Sequence, residues 1–393
     1  MKILHTVEFY HPSIGGMQEV VKQLSERLVV LGHDVTVATT KLSERRENIV
    51  NGVNLAEFEI SGNFVRGLSG EVEKYEKFLI ESDFDVITNF AAQQWATDIS
   101  LNVLDKIRAK KIFVPTGFSG LYAKEYVQYF ESMKSWMKKY DMNVFLSDDY
   151  RDVNFAKENG IEKRILISNG AGEDEFLKEN SIDIRKKLGI SKDNLLILHV
   201  GSHTGVKGHA ETIEIFKKAK IKNSTLLIIG NICGIGGCYI SCNSKGKFFN
   251  RSPFRFFDKK KILVKELSRE ETVAAYKSAD LFLFPSNIEC SPIVLFECMA
   301  SKTPFLTSDV GNSREIAEWS KSGILLPTDR GKDSMVLSRV DIEKSSEMLI
   351  SLAFDREKRQ KMSEVGFIVW KEKYSWEKIT RQYEKMYKNL LEK

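Results

Sequence analysis

The stretch Leu281-Phe282-Leu283-Phe284-Pro285-Ser286-Asn287-Ile288-Glu289-Cys290-Ser291-Pro292-Ile293-Val294-Leu295-Phe296-Glu297 contains a strand, a turn and the start of a helix. Leu281 to Phe284 has no polar residue, as a strand covered on both faces requires. Ser291 is a natural N-cap, and Pro292 suits the first helical position, where a missing N–H costs nothing, so Pro292 to Met299 reads as a helix. A helix that begins just past a strand end lies in the crevice where open α/β sheets bind ligands. Its unpaired N–H groups and dipole favour an anion, by ~0.3–2 kcal/mol from the dipole alone. Glu289 stands just ahead of this helix and Glu297 inside it, so two carboxylates are available to ligand hydroxyls. The competing reading is a capped helix with two solvated acids.

The same pattern recurs on either side. Leu195 to Val200 is another continuous apolar run, followed by Gly201-Ser202-His203-Thr204-Gly205-Val206-Lys207-Gly208-His209 and a helix expected from Gly208 to Lys220. A glycine-rich turn with a lysine at its exit lets backbone approach phosphate and supplies a cation, although the spacing is neither G-x-G-x-x-G nor a Walker loop. Ser224 to Ile229 and Phe305 to Thr307 read as strands, and Ser268 with Glu271 as a capping box that starts a helix through Tyr276. Towards the N-terminus, Lys2 to Val7 is a strand. Gly15-Gly16 follows in a loop, and Met17, Val20, Val21, Leu24, Leu28 and Leu31 share one helical face. Val35 to Thr39, Phe84 to Thr88, Lys111 to Val114 and Met142 to Leu146 continue as strands. Strands alternating with helices imply parallel, doubly wound sheets. The expected architecture is α/β, with two Rossmann-like domains facing across a cleft: residues 1–168, residues 169–374, and a C-terminal helix over 375–393 that crosses back to the first domain.

Composition narrows the class. The chain has 393 residues, enough for two domains with their own cores. Hydrophobic residues at 42% and charged residues at 29% describe an ordinary globular protein. No apolar run reaches the ~20 residues of a membrane span, and the N-terminus lacks a signal-peptide core, so a cytoplasmic protein is expected. The net charge of +5 suits anionic ligands without naming one. Five cysteines all lie in the second half. Cys233, Cys238 and Cys242 are spaced closely enough for zinc, but no histidine lies among them and structural zinc sites want four ligands, so reduced thiols are the preferred reading.

Taken in order, these stretches resemble the family-four group of retaining glycosyltransferases, which have the GT-B fold. The resemblance spans nearly the whole chain. It rests on the Gly15-Gly16 pair, Gly32-His33-Asp34-Val35, Asn169-Gly170 with Phe176, and Gly201 with Lys207-Gly208. Tyr276, Ala279-Asp280, Pro285-Ser286, the E-x7-E pair Glu289 and Glu297, Met299-Ala300, Pro304, Val310-Gly311 and Glu315-Ile316 continue it. It implies transfer of a sugar, with retention and without a metal, from a nucleotide-diphosphate sugar to a glycan, lipid-linked or other hydroxyl acceptor in cell-surface polysaccharide or glycoconjugate synthesis. The nucleotide sugar is a co-substrate; no cofactor is implied. By the same resemblance Glu289 contacts sugar hydroxyls beneath the anomeric carbon, Lys207 neutralises the diphosphate and Glu297 binds ribose. Backbone around Ser291, Pro292, Ile293 and Val294, with Cys290, holds phosphate and sugar. Gly201, Ser202 and His203 line the donor, and Gly15 and Gly16 line the cleft near it.

Three departures stand out. Ser202 replaces the family's arginine, leaving His203 as a neighbouring donor to phosphate. No histidine lies between His33 and the domain junction, so the N-domain loop near the sugar is Thr116 to Gly120 or Asn89 to Trp95. Cys290-Ser291 replaces a glycine-aromatic pair. The departures motivate two alternatives, a non-catalytic partner subunit and a nucleotide-sugar epimerase. Residues 244–265 interleave lysines and arginines with Phe248, Phe249, Phe254, Phe256 and Phe257. The preferred reading is a long loop with packed phenylalanines and solvated lysines. Peripheral contact with the inner membrane face ranks second, and nucleic acid last.

Overall fold

A computed structural model describes the chain except residues 180, 233–236, 331–336 and 393, and gives residues 255 and 256 without their side chains. It divides into two compact units, Met1–Asn169 with Trp376–Lys393, and Gly170–Ser375.

Unit 1 contains β1 (Lys2–Thr6), β2 (Asp34–Thr40), β3 (Ile49–Val50), β4 (Val53–Phe58), β5 (Ile60–Asn63), β6 (Gly67–Gly70), β7 (Val86–Phe90), β8 (Lys110–Val114), β9 (Met142–Phe145) and β10 (Arg164–Leu166). The main sheet runs β10-β9-β8-β7-β1-β2-β4-β3, and β5 pairs with β6 apart from it. All its pairings are parallel except β3 with β4. The helix Gly16–Val30 follows β1 and presents Val20, Val21, Leu24 and Leu28 to the core. The terminal helix Trp376–Leu391 packs against it. The Tyr387 hydroxyl reaches Thr88 Oγ1 at 2.8 Å and His5 Nε2 at 3.2 Å, while Arg27 pairs with Glu377.

Unit 2 contains β11 (Leu195–Val200), β12 (Ser224–Ile229), β13 (Lys261–Lys265), β14 (Leu281–Phe284), β15 (Phe305–Thr307) and β16 (Gly323–Leu325), in the order β13-β12-β11-β14-β15-β16. Every pairing in this sheet is parallel. This is the dinucleotide-fold order, and its connections reverse direction between β11 and β14. Every residue of β12, β14 and β15 is buried, which is why these strands have no polar alternation to read. Ser268 and Glu271 form the capping box of the helix Arg269–Ser278.

Two expectations need correction. The helix after β14 is Ile293–Ala300, one residue later than expected: Pro292 keeps an extended ψ of 113° and serves as N-cap, so Ser291 stays in the loop. Residues 244–265 are not a loop. They comprise the end of the helix Tyr239–Asn250, the short helix Phe254–Asp258 and β13. Phe249 packs on the core, but Phe248, Phe254 and Phe257 are exposed. Lys260 is buried, its Nζ donating to Phe216 O and Ala219 O at 2.6 Å each, where it satisfies carbonyls at the end of the helix His209–Lys218.

Candidate functional site

The connections after β11 and β14 leave in opposite directions and open a crevice at the switch point. Residues 201–208 form one wall and residues 285–292 the other. They are stitched together by Asn287 N donating to Val206 O at 2.9 Å, and by the Ser286 hydroxyl donating to the same carbonyl at 3.3 Å. Gly208 makes this approach feasible: its φ is +73°, and a Cβ there would lie 2.0 Å from Pro285 O. A third loop follows β15. Gly311, at φ +55°, lies beneath Cys290, whose carbonyl accepts from Asn312 N at 2.9 Å.

Within this frame Lys207 and Glu289, 82 residues apart, meet. Lys207 Nζ donates to both carboxylate oxygens of Glu289 at 2.8 and 2.9 Å, and the Ser286 hydroxyl donates to Oε1 at 2.8 Å. The Glu289 side chain is only 8% exposed and that of Lys207 29%, so the lysine is the partner a ligand can reach. A charge-assisted contact of this kind is worth about 1.5–3 kcal/mol, which an arriving polyanion can match or exceed. The helix Ile293–Ala300 begins four residues beyond Glu289 and adds first-turn N–H groups without intrahelical acceptors.

Glu297 lies inside that helix and is almost fully buried. Arg269 donates to it at 2.6 Å and grips Glu175 with two further bonds of 2.7 Å. Burial pushes the Glu297 carboxyl above the usual carboxylate range, with the Arg269 guanidinium pulling the other way. Arg269 and Glu175 also line a cavity of about 320 Å³ with Lys178, Ile182 and Val273, apart from Lys207 and Glu289.

Residues 180–367 match the glycosyl transferases group 1 family. The chain is a glycosyltransferase with the GT-B fold, and its group 1 match lies in unit 2. It is 25% identical over 415 aligned positions to an uncharacterised glycosyltransferase of Methanocaldococcus jannaschii, covering 100% of this chain and 99% of the relative. Among solved structures, a sucrose-phosphate synthase of Thermosynechococcus elongatus superimposes with a TM-score of 0.74 at 17% identity, covering 99% of this chain and 98% of that one. HepE of Anabaena, solved in complex with UDP-glucose, gives 0.71 at 14% identity, covering 99% and 100%.

In this glycosyltransferase the remaining expected residues divide into two sets. Gly201, Ser202, Cys290, Ser291, Pro292, Ile293 and Val294 all lie on the switch-point loops or the first helical turn of unit 2. Gly15 and Gly16 lie in unit 1, at the start of the helix Gly16–Val30. His203 turns inward. It is fully buried, its ring stacks on His209 with centroids 4.2 Å apart, and its Nδ1 faces Cys238 Sγ at 3.4 Å. Burial lowers its pKa and favours the neutral imidazole. Arg269, which holds Glu297, and Glu175, which anchors Arg269 from the other side, were not anticipated. The only sequence cue for Arg269 was its place directly after the capping serine.

No helix among the described residues is long and apolar enough to cross a membrane.

Proposed function

We propose that unit 2 holds a nucleotide-diphosphate sugar at its switch point, and that the enzyme transfers the sugar with retention and without a metal. The observation that carries the reading is the bidentate Lys207–Glu289 pair beside a helix N-terminus. The UDP-glucose held by the structural neighbour supports that donor class. The donor diphosphate draws Lys207 away from Glu289 and rests on the backbone N–H groups of Ser291, Ile293 and Val294. Glu289, released but still held by Ser286, accepts from hydroxyls of the sugar. Glu297, oriented by Arg269, accepts from ribose. The anomeric carbon–oxygen bond to the diphosphate breaks, and the acceptor hydroxyl oxygen attacks from the same face. The acceptor's proton passes to the departing phosphate oxygen, so a nucleoside diphosphate and the glycoside are the products. Stabilising the leaving diphosphate electrostatically is the largest contribution this site can make.

The acceptor is a glycan, lipid-linked or other hydroxyl compound, as in polysaccharide or glycoconjugate synthesis. Exposed Phe248, Phe254 and Phe257 beside Lys245, Lys247 and Arg251 offer an anionic lipid surface both apolar insertion and charge. Co-sedimentation with anionic vesicles should be lost when the three phenylalanines become serine, and retained binding would dismiss the contact.

The first experiment is thermal shift with UDP, GDP, ADP and CMP, then turnover of the matching nucleotide sugar with no added Mg2+ or Mn2+. Stabilisation by one nucleotide, followed by transfer with the donor's anomeric configuration preserved, is the expected result. An inverted product or an absolute need for added Mg2+ would overturn the corresponding part of the proposal.

A further inference from the structure

His203 was expected at the phosphates, yet its ring faces two cysteines. Cys238 occupies the position just before the helix Tyr239–Asn250 and Cys242 lies one turn further on, so their side chains share a helix face. His203 comes from the loop after β11, 35 residues earlier than Cys238. One ligand atom from each of the three residues lies within 4.8 Å of the other two.

The backbone holds this triangle independently of the side chains. Cys238 N donates to His203 O at 3.1 Å, His203 N to Asn231 O at 3.2 Å, and Cys242 N to Cys238 O at 3.0 Å. The imidazole is clamped between the His209 ring at 4.2 Å and the edge of Tyr239 at 5.2 Å. Its Nε2 is buried without a hydrogen-bond partner among the described residues, so the only polar contact of the ring faces the thiols.

We infer that His203, Cys238 and Cys242 form a transition-metal site, with zinc the fitting ion, that ties the start of the helix Tyr239–Asn250 to the loop carrying Lys207. Two sulfurs and one imidazole nitrogen are a soft-to-borderline donor set, which selects Zn2+ over Mg2+ or Ca2+. With metal–nitrogen and metal–sulfur bonds of roughly 2.0 and 2.3 Å, tetrahedral geometry separates N from S by ~3.5 Å. The 3.4 Å between His203 Nδ1 and Cys238 Sγ needs almost no adjustment to meet it. Charge also balances: two thiolates neutralise Zn2+, so binding releases two protons and leaves no net charge at the site.

The described residues supply three of the four tetrahedral positions, and the partial exposure of Cys238 leaves the site open towards solvent. Cys233 lies outside the described residues and is not counted. The site is a brace. His203 is four residues from Lys207, so a loaded metal steadies the loop that presents the lysine without touching the reacting atoms.

The test is metal analysis of untagged full-length protein purified with a reductant. About one zinc per chain, retained in competition with a chromophoric chelator, is expected. Replacing it with Co2+ should give the absorption of a tetrahedral ion with thiolate-to-metal charge transfer. Cys242→Ser should abolish both signals. If that buried variant fails to fold, Cys238→Ser, at the more exposed ligand, provides the same readout. Removing the metal should lower the melting temperature, and Zn2+ but not Mg2+ should restore it. Metal-free protein that takes up no Co2+, or protein in which Cys238 and Cys242 are joined as a disulfide, would overturn the inference. Because the readouts are metal content, spectrum and melting, failure here leaves the donor-site proposal standing, and failed transfer leaves this one standing.

Discussion

Beyond β11 and β14, unit 2 presents a lysine clamped on a glutamate, two glycines at positive φ and a helix N-terminus. Beyond β7 and β8, unit 1 presents the opposite chemistry. Ala91, Gln93, Thr116 and Phe118 all adopt positive φ without being glycine, at about 1–2 kcal/mol each. Neutral hydrogen bonds hold them. Gln93 Oε1 accepts from Ser119 Oγ at 3.1 Å and Gly120 N at 3.0 Å, and its backbone N donates to Tyr129 at 3.1 Å. Beneath them the buried Asp152 carboxyl accepts from Gly117 N at 2.8 Å, and burial pushes its pKa up to about 6. On the proposed reading, unit 2 uses charge and glycine to receive a polyanion. Unit 1 holds strained, uncharged backbone in shape, as befits surfaces that must fit a particular partner. These two unit 1 loops are also where the resemblance left the place of a histidine unfilled.

The contrast can be broken most directly at Glu289. Glu289→Gln should reduce transfer by ~10²-fold or more while the protein stays folded with a lowered melting temperature; turnover close to the parent's would remove the charge-based role of unit 2. Gly208→Ala comes next. A Cβ at φ +73° and 2.0 Å from Pro285 O should destabilise unit 2 by ~2–4 kcal/mol in urea unfolding. Glu297→Ala should weaken nucleotide binding by ~1.5–3 kcal/mol by calorimetry.

The same carboxylate predicts a pH dependence. Its pKa is raised in the fold, so nucleotide affinity should be complete above that raised value and fall as pH drops through it. In that window the folded protein binds the proton more tightly than the unfolded chain, so affinity should fall without a matching loss of thermal stability. Glu297→Ala should flatten the affinity profile.

Unit 1 gives the smaller effects. Thr116→Gly relieves a β-branched residue at φ +60° and should be stabilising by up to ~1 kcal/mol, while slowing transfer if the loop shapes the acceptor site. Gly16→Ala should leave stability within about 0.5 kcal/mol, because its Cβ meets nothing within 4 Å. Reduced turnover in that stable variant would report a ligand close to Gly16, and unchanged turnover would remove Gly16 from the site.

Much of the fold was legible because the signals were local. Leu195–Val200, Ser224–Ile229, Leu281–Phe284 and Phe305–Thr307 are the strands their short, mainly apolar runs predict, and Trp376–Leu391 is the helix its periodicity predicts. β13 escaped notice because Lys-Ile-Leu-Val-Lys is buried in a basic stretch that reads as loop. β4 escaped because its polar residues interrupt the run. In the site, the E-x7-E spacing marked Glu289 and Glu297, but nothing marked Arg269 as the partner that orients the second carboxylate, or Glu175 as the anchor of Arg269.

The sequence by itself determined the most apolar strands, the periodic helices, the capping box at Ser268 and Glu271, and which loops carry glycine, lysine and glutamate. Those properties depend on backbone preferences and burial within a few residues. Only the tertiary structure decided that Lys207 meets Glu289 across 82 residues, that Arg269 holds Glu297, and that His203 turns from the phosphate loop to Cys238 and Cys242. Each of those pairings depends on the order in which parallel strands assemble, and strand order is set by packing the whole sheet rather than by any one stretch of chain.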